Sequence, residues 1–290
     1  MATFRDILGT PGEDQLALAD GRWILGHWYV KVICNGRSVG DFTSLAGMLQ
    51  EELGQTRAWF QILEDRYGLV PLELEHGRQA DDVLSPEALD APPESWADFV
   101  ATATIAELAL LSLSEAIKER AGDDEEVAGL LEKSFQEEFF HQLLVTGWLH
   151  DLGAREAEDA AQALRRRLPL LLRWLGPASG SSRDALADAR ARFLERARTV
   201  LGEAGFDAGE LVEAARAEAE AAGWENWEPH RRREAGSRIP ARLWEFVVPT
   251  NEAALRARRP RSVALADDFS TTIEGFSGEL EERAVVADEE

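Results

Sequence analysis

The stretch "QEEFFHQLL", residues 136–144, sets Glu138 and His141 three positions apart in a segment otherwise suited to a helix core. Positions three and four apart share one face of a helix, so a carboxylate oxygen and an imidazole nitrogen there can point at one cation. Glu-x-x-His is the ligand spacing of carboxylate-bridged metal sites built inside helical bundles. Alone the pattern says little, because Glu-rich helices generate it by chance. Two further carboxylates, Glu52 and Glu107, interrupt apolar rows elsewhere in the same way. Gln55 follows Glu52 at the same spacing, with an amide where a second histidine would complete a matching pair.

Each of these residues sits near the middle of an apolar helical stripe. One stripe runs Val127, Leu131, Ser134, Glu138, His141, Val145 and Trp148; a second runs Val100, Ala103, Glu107, Leu110 and Ser114. A third contains Leu45, Met48, Glu52, Gln55 and Trp59, and the first helix contributes Ile24, His27, Lys31 and Cys34. A buried unpaired charge costs several kcal/mol, so groups at this depth must neutralise one another or bind an ion. Lys31 cannot ligate a metal while protonated, but its ammonium supplies the positive charge that an ion would bring. The sequence therefore predicts one buried cluster of Lys31, Glu52, Gln55, Glu107, Glu138 and His141, with Lys31 paired to a carboxylate. His27 is a neighbour of that network. The expected cofactor is none, with iron or manganese on Glu52, Glu107, Glu138 and His141 as the alternative. No residue is assigned a catalytic or cofactor-binding role.

Four long helices must position these groups. Apolar periodicity and terminal residues place them at about 14–35, 41–67, 95–121 and 125–152, with Gly36, Gly68 and Gly122 as stops. The first two and the last two are joined by short turns. A proline-rich crossover between the pairs gives the connectivity of a ferritin-like four-helix bundle. The fold class is all-α, with the bundle at 14–152. Additional Ala/Arg/Glu-rich helices and an aromatic segment at 153–260 pack on it, and 261–290 form an acidic, loosely ordered tail.

The segments "ILGHWYVK", "MLQEELGQTRAW", "TIAELALLSLSEA" and "QEEFFHQLL" resemble the ferritin-like proteins of phenylacetate catabolism, the subunits of phenylacetyl-CoA epoxidase. The resemblance spans about residues 16–152 and loosens beyond. It implies one of two roles. A catalytic subunit of this family holds a di-iron centre that activates dioxygen and epoxidises the ring of phenylacetyl-CoA, with electrons from a reductase. A homologous partner subunit keeps the bundle without functional metal. The family's ligand positions fall on Lys31, Glu52, Gln55, Glu107, Glu138 and His141. Lys31 and Gln55 depart from the metal-binding types, "LGQ" matches the partner form, and "QEE.FH" is closer to the catalytic form. The implied function is a scaffold or substrate-binding partner with a degenerate metal site; an active mono- or dinuclear iron or manganese oxygenase is the alternative.

Composition narrows the partners. A formal charge of −23 argues against nucleic acid, which requires a concentrated basic face. Arginine clusters at 165–167, 231–233 and 256–261 read as solvated helix faces and a basic linker, or else as a landing site for the phosphates of an acyl-CoA. Cys34 is the single cysteine, so no disulfide framework exists. The N-terminus lacks a signal-peptide core, and the most apolar run, 99–117, is interrupted by Glu107, Ser112, Ser114 and Glu115. A cytoplasmic protein without a membrane span is expected. Its partner would be a homologous ferritin-like subunit, either a second copy or a catalytic relative, meeting it through the first two helices or the aromatic segment 224–246.

Overall fold

The computed structural model describes residues 2–177 and 184–248. Helices α1 (Pro11–Val32) and α2 (Val39–Tyr67) form one hairpin, and α4 (Trp96–Ala121) and α5 (Glu125–Arg155) form the second. A short helix, α3 (Pro71–His76), lies in the crossover. The starts are set by side-chain caps: Ser38 accepts from the Asp41 amide at 3.0 Å, Ser95 from Asp98 at 3.1 Å and Asp124 from Val127 at 3.1 Å. Gly68 ends α2 in the left-handed conformation, φ 70°, and returns its amide to Glu64. The bundle is all-α and ferritin-like in connectivity, as the helix spacing predicts.

Helices α1 and α4 are buried on nearly every side, whereas α2 and α5 each keep a solvent face. Helix α4 is packed by α1, α5, α6 (Ala157–Trp174) and α7 (Asp184–Glu203). By length and composition α4 could cross a membrane, with a mean hydropathy of 1.5, so the expectation from its polar interruptions is corrected. It is nevertheless the core helix here, since 89% of its most apolar stretch is buried inside the protein.

Arginines tie the later elements to the bundle. A hairpin of β1 (Trp227–Glu228) and β2 (Arg233–Glu234) follows α8 (Ala208–Ala221) and precedes α9 (Ala241–Val247). From it, buried Arg233 grips Asp90 at 2.6 and 3.0 Å and the Ser85 carbonyl at 2.9 Å, while buried Arg232 pairs with Asp14 of α1. Arg167 bonds the carbonyls of Ala88 (2.7 Å) and Ala91 (3.0 Å) as well as Asp98. Arg190 closes the C-terminal end of α6 through the carbonyls of Leu172 and Gly176, and Arg173 closes that of α8 through Ala219 and Gly223. Unpaired carbonyls at helix ends carry partial negative charge, and a guanidinium satisfies several at once.

These contacts correct the reading of the arginine clusters. Arg232, Arg233 and Arg167 are buried, while Arg165 and Arg166 stay nearly half exposed. The cluster at 256–261 and the expected acidic tail lie outside the described residues. Because Arg233 and Asp90 are enclosed together, removing one partner strands the other. Arg233→Ala should lower the unfolding free energy by about 3 kcal/mol, read by urea titration, with the helical circular dichroism of the folded state unchanged.

Candidate functional site

Four helices deliver a sealed cluster of charges. Glu52 on α2, Glu107 on α4, and Glu138 and His141 on α5 are all buried, as the three apolar stripes predict. At their centre lies the guanidinium of Arg22 from α1, fully buried. Its Nη1 donates to Glu52 Oε1 and Oε2 at 3.0 and 3.2 Å. Its Nη2 lies 2.6 Å from Glu138 Oε1 and reaches the hydroxyls of Ser134 (3.1 Å) and Ser114 (3.4 Å). The Tyr29 phenol, also buried, donates to Glu107.

His141 has two different sides. Its Nε2 lies 2.7 Å from Glu51, at the half-exposed shoulder of α2. Its Nδ1 faces inward, 3.3 Å from Glu52 and 3.2 Å from Glu107. Gln55 closes the seam between α2 and α5: it accepts from Ser134 at 2.6 Å and donates to Glu137 at 2.6 Å.

Lys31 is not the central cation. The structure puts it half-buried, with its ammonium 5.7 Å from the centre of the Phe246 ring. His27 faces the same way. Its Nδ1 lies 2.7 Å from the Trp23 carbonyl, and its ring packs edge-on against Trp23 and Phe246. The first-helix stripe was thus read on the wrong face. On α1, buried all round, apolar periodicity marks no unique inward side. Arg22 and Tyr29, two turns apart, share the cluster face with Gly26 between them. A Cβ on Gly26 would come within 2.9 Å of Leu53 Cδ2 and 3.4 Å of Glu52 Cβ, so this glycine is where α1 closes on α2. The significance of that glycine becomes visible only from its contacts with α2. Glu51 and Glu137 lie at the shoulders of the cluster, where Glu51 contacts His141 and Glu137 accepts from Gln55.

The charges balance by proton placement. Burial opposes the Arg22 charge, yet Glu52, Glu138 and Glu107 outweigh it and hold the guanidinium above its ordinary range. Burial likewise opposes charging of His141, and Glu107, Glu51 and Glu52 reverse it, so the imidazole stays protonated well above its usual value. Burial pushes Glu107 up, but His141, Tyr29 and Arg22 hold it below the usual carboxylate range. Glu138 keeps its proton: burial pushes it up to about 8 against the pull of Arg22, with Glu107 and Glu52 adding to the rise. Arg22 and His141 are then the cations of the cluster, with Glu107 held ionised beside them and Glu138 neutral.

The donor set fits one metal ion, not two. Glu52, Glu107 and His141 offer ligand atoms within 4.8 Å of one another. The Glu51 contact orients the imidazole as a carboxylate orients a metal-binding histidine. Glu107 Oε2 and Glu138 Oε2 have no hydrogen-bond partner among the described residues, while Glu138 Oε1 and His141 Nδ1 are engaged by ion-pair contacts to Arg22 and Glu107. On the Glu138 side, however, Arg22 fills the place of a second cation, and a guanidinium does not surrender its charge. A divalent ion beside it would be repelled and short of ligands.

Two measurements follow from this arrangement. Arg22→Met leaves Glu52 and Glu138 without their shared cation and should cost about 3–5 kcal/mol in unfolding free energy. Glu138 contributes stability below its unfolded value of 4.5, and this is lost as pH rises through its folded value of about 8. In that window only the folded chain holds the proton, at about 1.4 kcal/mol per pH unit. Urea titrations of Glu138→Gln and the parent should diverge in the variant's favour from pH 4.5 to about 8 and run parallel above it. Parallel curves throughout would mean that Glu138 is ionised in the fold.

No curated protein matches the sequence. The profile of the family described as phenylacetic acid catabolic protein matches residues 13–223. The match covers 211 of 290 residues and runs from the first turn of α1 past the end of α8, taking in every residue of the cluster. The chain belongs to the phenylacetic acid catabolic protein family.

Proposed function

We propose that this chain is the non-catalytic, ferritin-like subunit of a phenylacetyl-CoA epoxidase-type oxygenase. In this reading it works in the cytoplasm as a scaffold for a homologous, metal-bearing subunit and helps to hold the aryl-CoA thioester. The observation that carries the reading is Arg22, lodged 3.0 Å from Glu52 and 2.6 Å from Glu138 where a two-metal centre needs its second cation. A site built for dioxygen activation by two ions has no use for a permanent charge at that point. The same charge makes the cluster self-sufficient, so the bundle folds around it without metal. Family membership supports the phenylacetate context and the likeness to an oxygenase subunit.

The thioester part of the reading has fewer arginines to draw on than the sequence offered. Arg232 and Arg233 are spent inside the fold, which leaves exposed groups such as Arg165 and Arg166 of α6 for phosphates. Iron or manganese bound singly to Glu52, Glu107 and His141 is compatible with the scaffold role; two ions are not.

The test combines metal content with oxygen uptake. Purified chain loaded with Fe(II) or Mn(II), with and without air, should retain at most one ion per chain. With reductant and phenylacetyl-CoA it should consume no oxygen unless a metal-bearing homologous subunit is added. Titration calorimetry should show the thioester binding in the micromolar range. Two retained ions together with reductant-dependent oxygen uptake by the isolated chain would overturn the reading.

A further inference from the structure

Helices α5 and α7 both pack on α4 but scarcely touch each other, and a cleft opens between them. It holds about 410 Å³, within the range of small-molecule sites. Leu108 and Leu111 of α4 and Val200 of α7 give it an apolar lining. Phe139, one turn before Gln142 on the same side of α5 and 65% exposed, carries that surface outward. One group in the cleft lacks what it needs. The Gln142 Nε2 is buried and has no acceptor among the described residues. A buried donor left unmade is costly, so its placement calls for an acceptor that arrives from outside. The leucines and valine around it favour an acceptor attached to a hydrocarbon body.

Charge decides the class of ligand. Arg192 and Arg196, one turn apart on α7, also line the cleft, but both reach across to α4. Arg192 meets Glu115 at 3.3 Å and Glu119 at 2.5 Å. Arg196 meets Glu115 at 2.6 Å and the Ser112 hydroxyl at 3.3 Å. Glu195 adds a third carboxylate to the lining. Two guanidiniums among three carboxylates leave no net positive charge for an anion. A carboxylate, or a coenzyme thioester with its phosphates, would lose its hydration here without a free cation in exchange. An uncharged acceptor carries no such cost.

We propose that the cleft between α4, α5 and α7 binds an uncharged ligand with an apolar ring or chain and one carbonyl group, an amide or an ester. The carbonyl oxygen accepts from Gln142 Nε2, and the hydrocarbon part lies on Leu108, Leu111 and Val200. The site shares no residue with the buried cluster. It backs onto it, because Leu108 and Gln142 are the chain neighbours of Glu107 and His141. Neighbours on a helix diverge by roughly 100°, so α4 and α5 present one residue to each site. The inference goes beyond the scaffold reading and does not depend on it.

N-Benzylacetamide has both features and tests the site by ligand-observed NMR titration of the full chain. It should bind saturably with a Kd of about 1 mM, the range expected for so small a molecule. Its anionic counterpart 3-phenylpropanoate should bind at least about fivefold more weakly. Gln142→Leu removes the donor at similar size and should weaken the amide at least about fivefold, with circular dichroism unchanged and a urea midpoint no lower than the parent's. Thr199→Trp, at an exposed position on the α7 wall, fills the cleft and should abolish binding. The proposal is overturned by an amide that does not saturate below about 20 mM, by a Kd that either substitution leaves unchanged, or by equal affinity for 3-phenylpropanoate. Metal content and oxygen uptake do not enter this readout, so its failure leaves the proposed function to its own test.

Discussion

A permanent positive charge with no access to water governs this molecule. Arg22 cannot give up its proton, so its site must supply acceptors and compensating charge, and Glu52 and Glu138 reach it from two other helices. The rest of the cluster follows from that demand. Three carboxylates around one guanidinium are too many, so Glu138 retains a proton and His141 gains one. Glu107, on the fourth helix, is held ionised by His141, Tyr29 and Arg22. The four helices are locked in rotation about their axes because each must present its polar group to the same point.

The same chemistry recurs outside the bundle. Arg78 takes Asp20 of α1 in a paired grip at 2.6 and 2.7 Å, and Asp20 also accepts the Leu84 amide at 2.8 Å. Arg167, Arg173, Arg190, Arg232 and Arg233 bind carboxylates, helix-end carbonyls or both. Lysine could not replace them, because one planar fork serves several acceptors whose positions are already set by backbone geometry. This use of arginine keeps α1 enclosed along its length: the crossover, the hairpin and α9 are pinned against it, with Trp244 packing on Trp23 and Phe246 on His27. The aromatic segment expected to meet a partner is partly engaged within the chain, whereas the open bundle faces belong to α2 and α5.

For function, the consequence is a division between inside and outside. Inside, a cluster with the residue types of a carboxylate metal site is neutralised by a side chain at one end and keeps three ligand atoms at the other. Outside, the face of α5 just beyond His141 offers aromatic surface. A helix that presents His141 inward and Phe140 outward carries both features on adjacent residues, since neighbours on a helix diverge by roughly 100°.

The sequence by itself determined the four long helices, their pairing and what three of them contribute to the cluster. Caps and glycine stops mark the ends, and on α2 and α5 the contrast between a wet and a dry face makes Glu52, Glu138 and His141 legible as buried polar residues. Glu107 is legible as the one carboxylate at the centre of the apolar α4. Only the tertiary structure decided which face of α1 meets them. That helix is dry on every side, so periodicity holds no information about its rotation, and Lys31 and Arg22 were equal in composition as candidates. The outcome rests on contacts distant in sequence: Gly26 lets α1 approach α2, and Trp244 and Phe246 occupy the opposite face. The fate of the arginine clusters was settled in the same way. A guanidinium in sequence looks the same whether it faces water or a helix end, and what distinguishes them is the carbonyl or carboxylate that the fold brings to it.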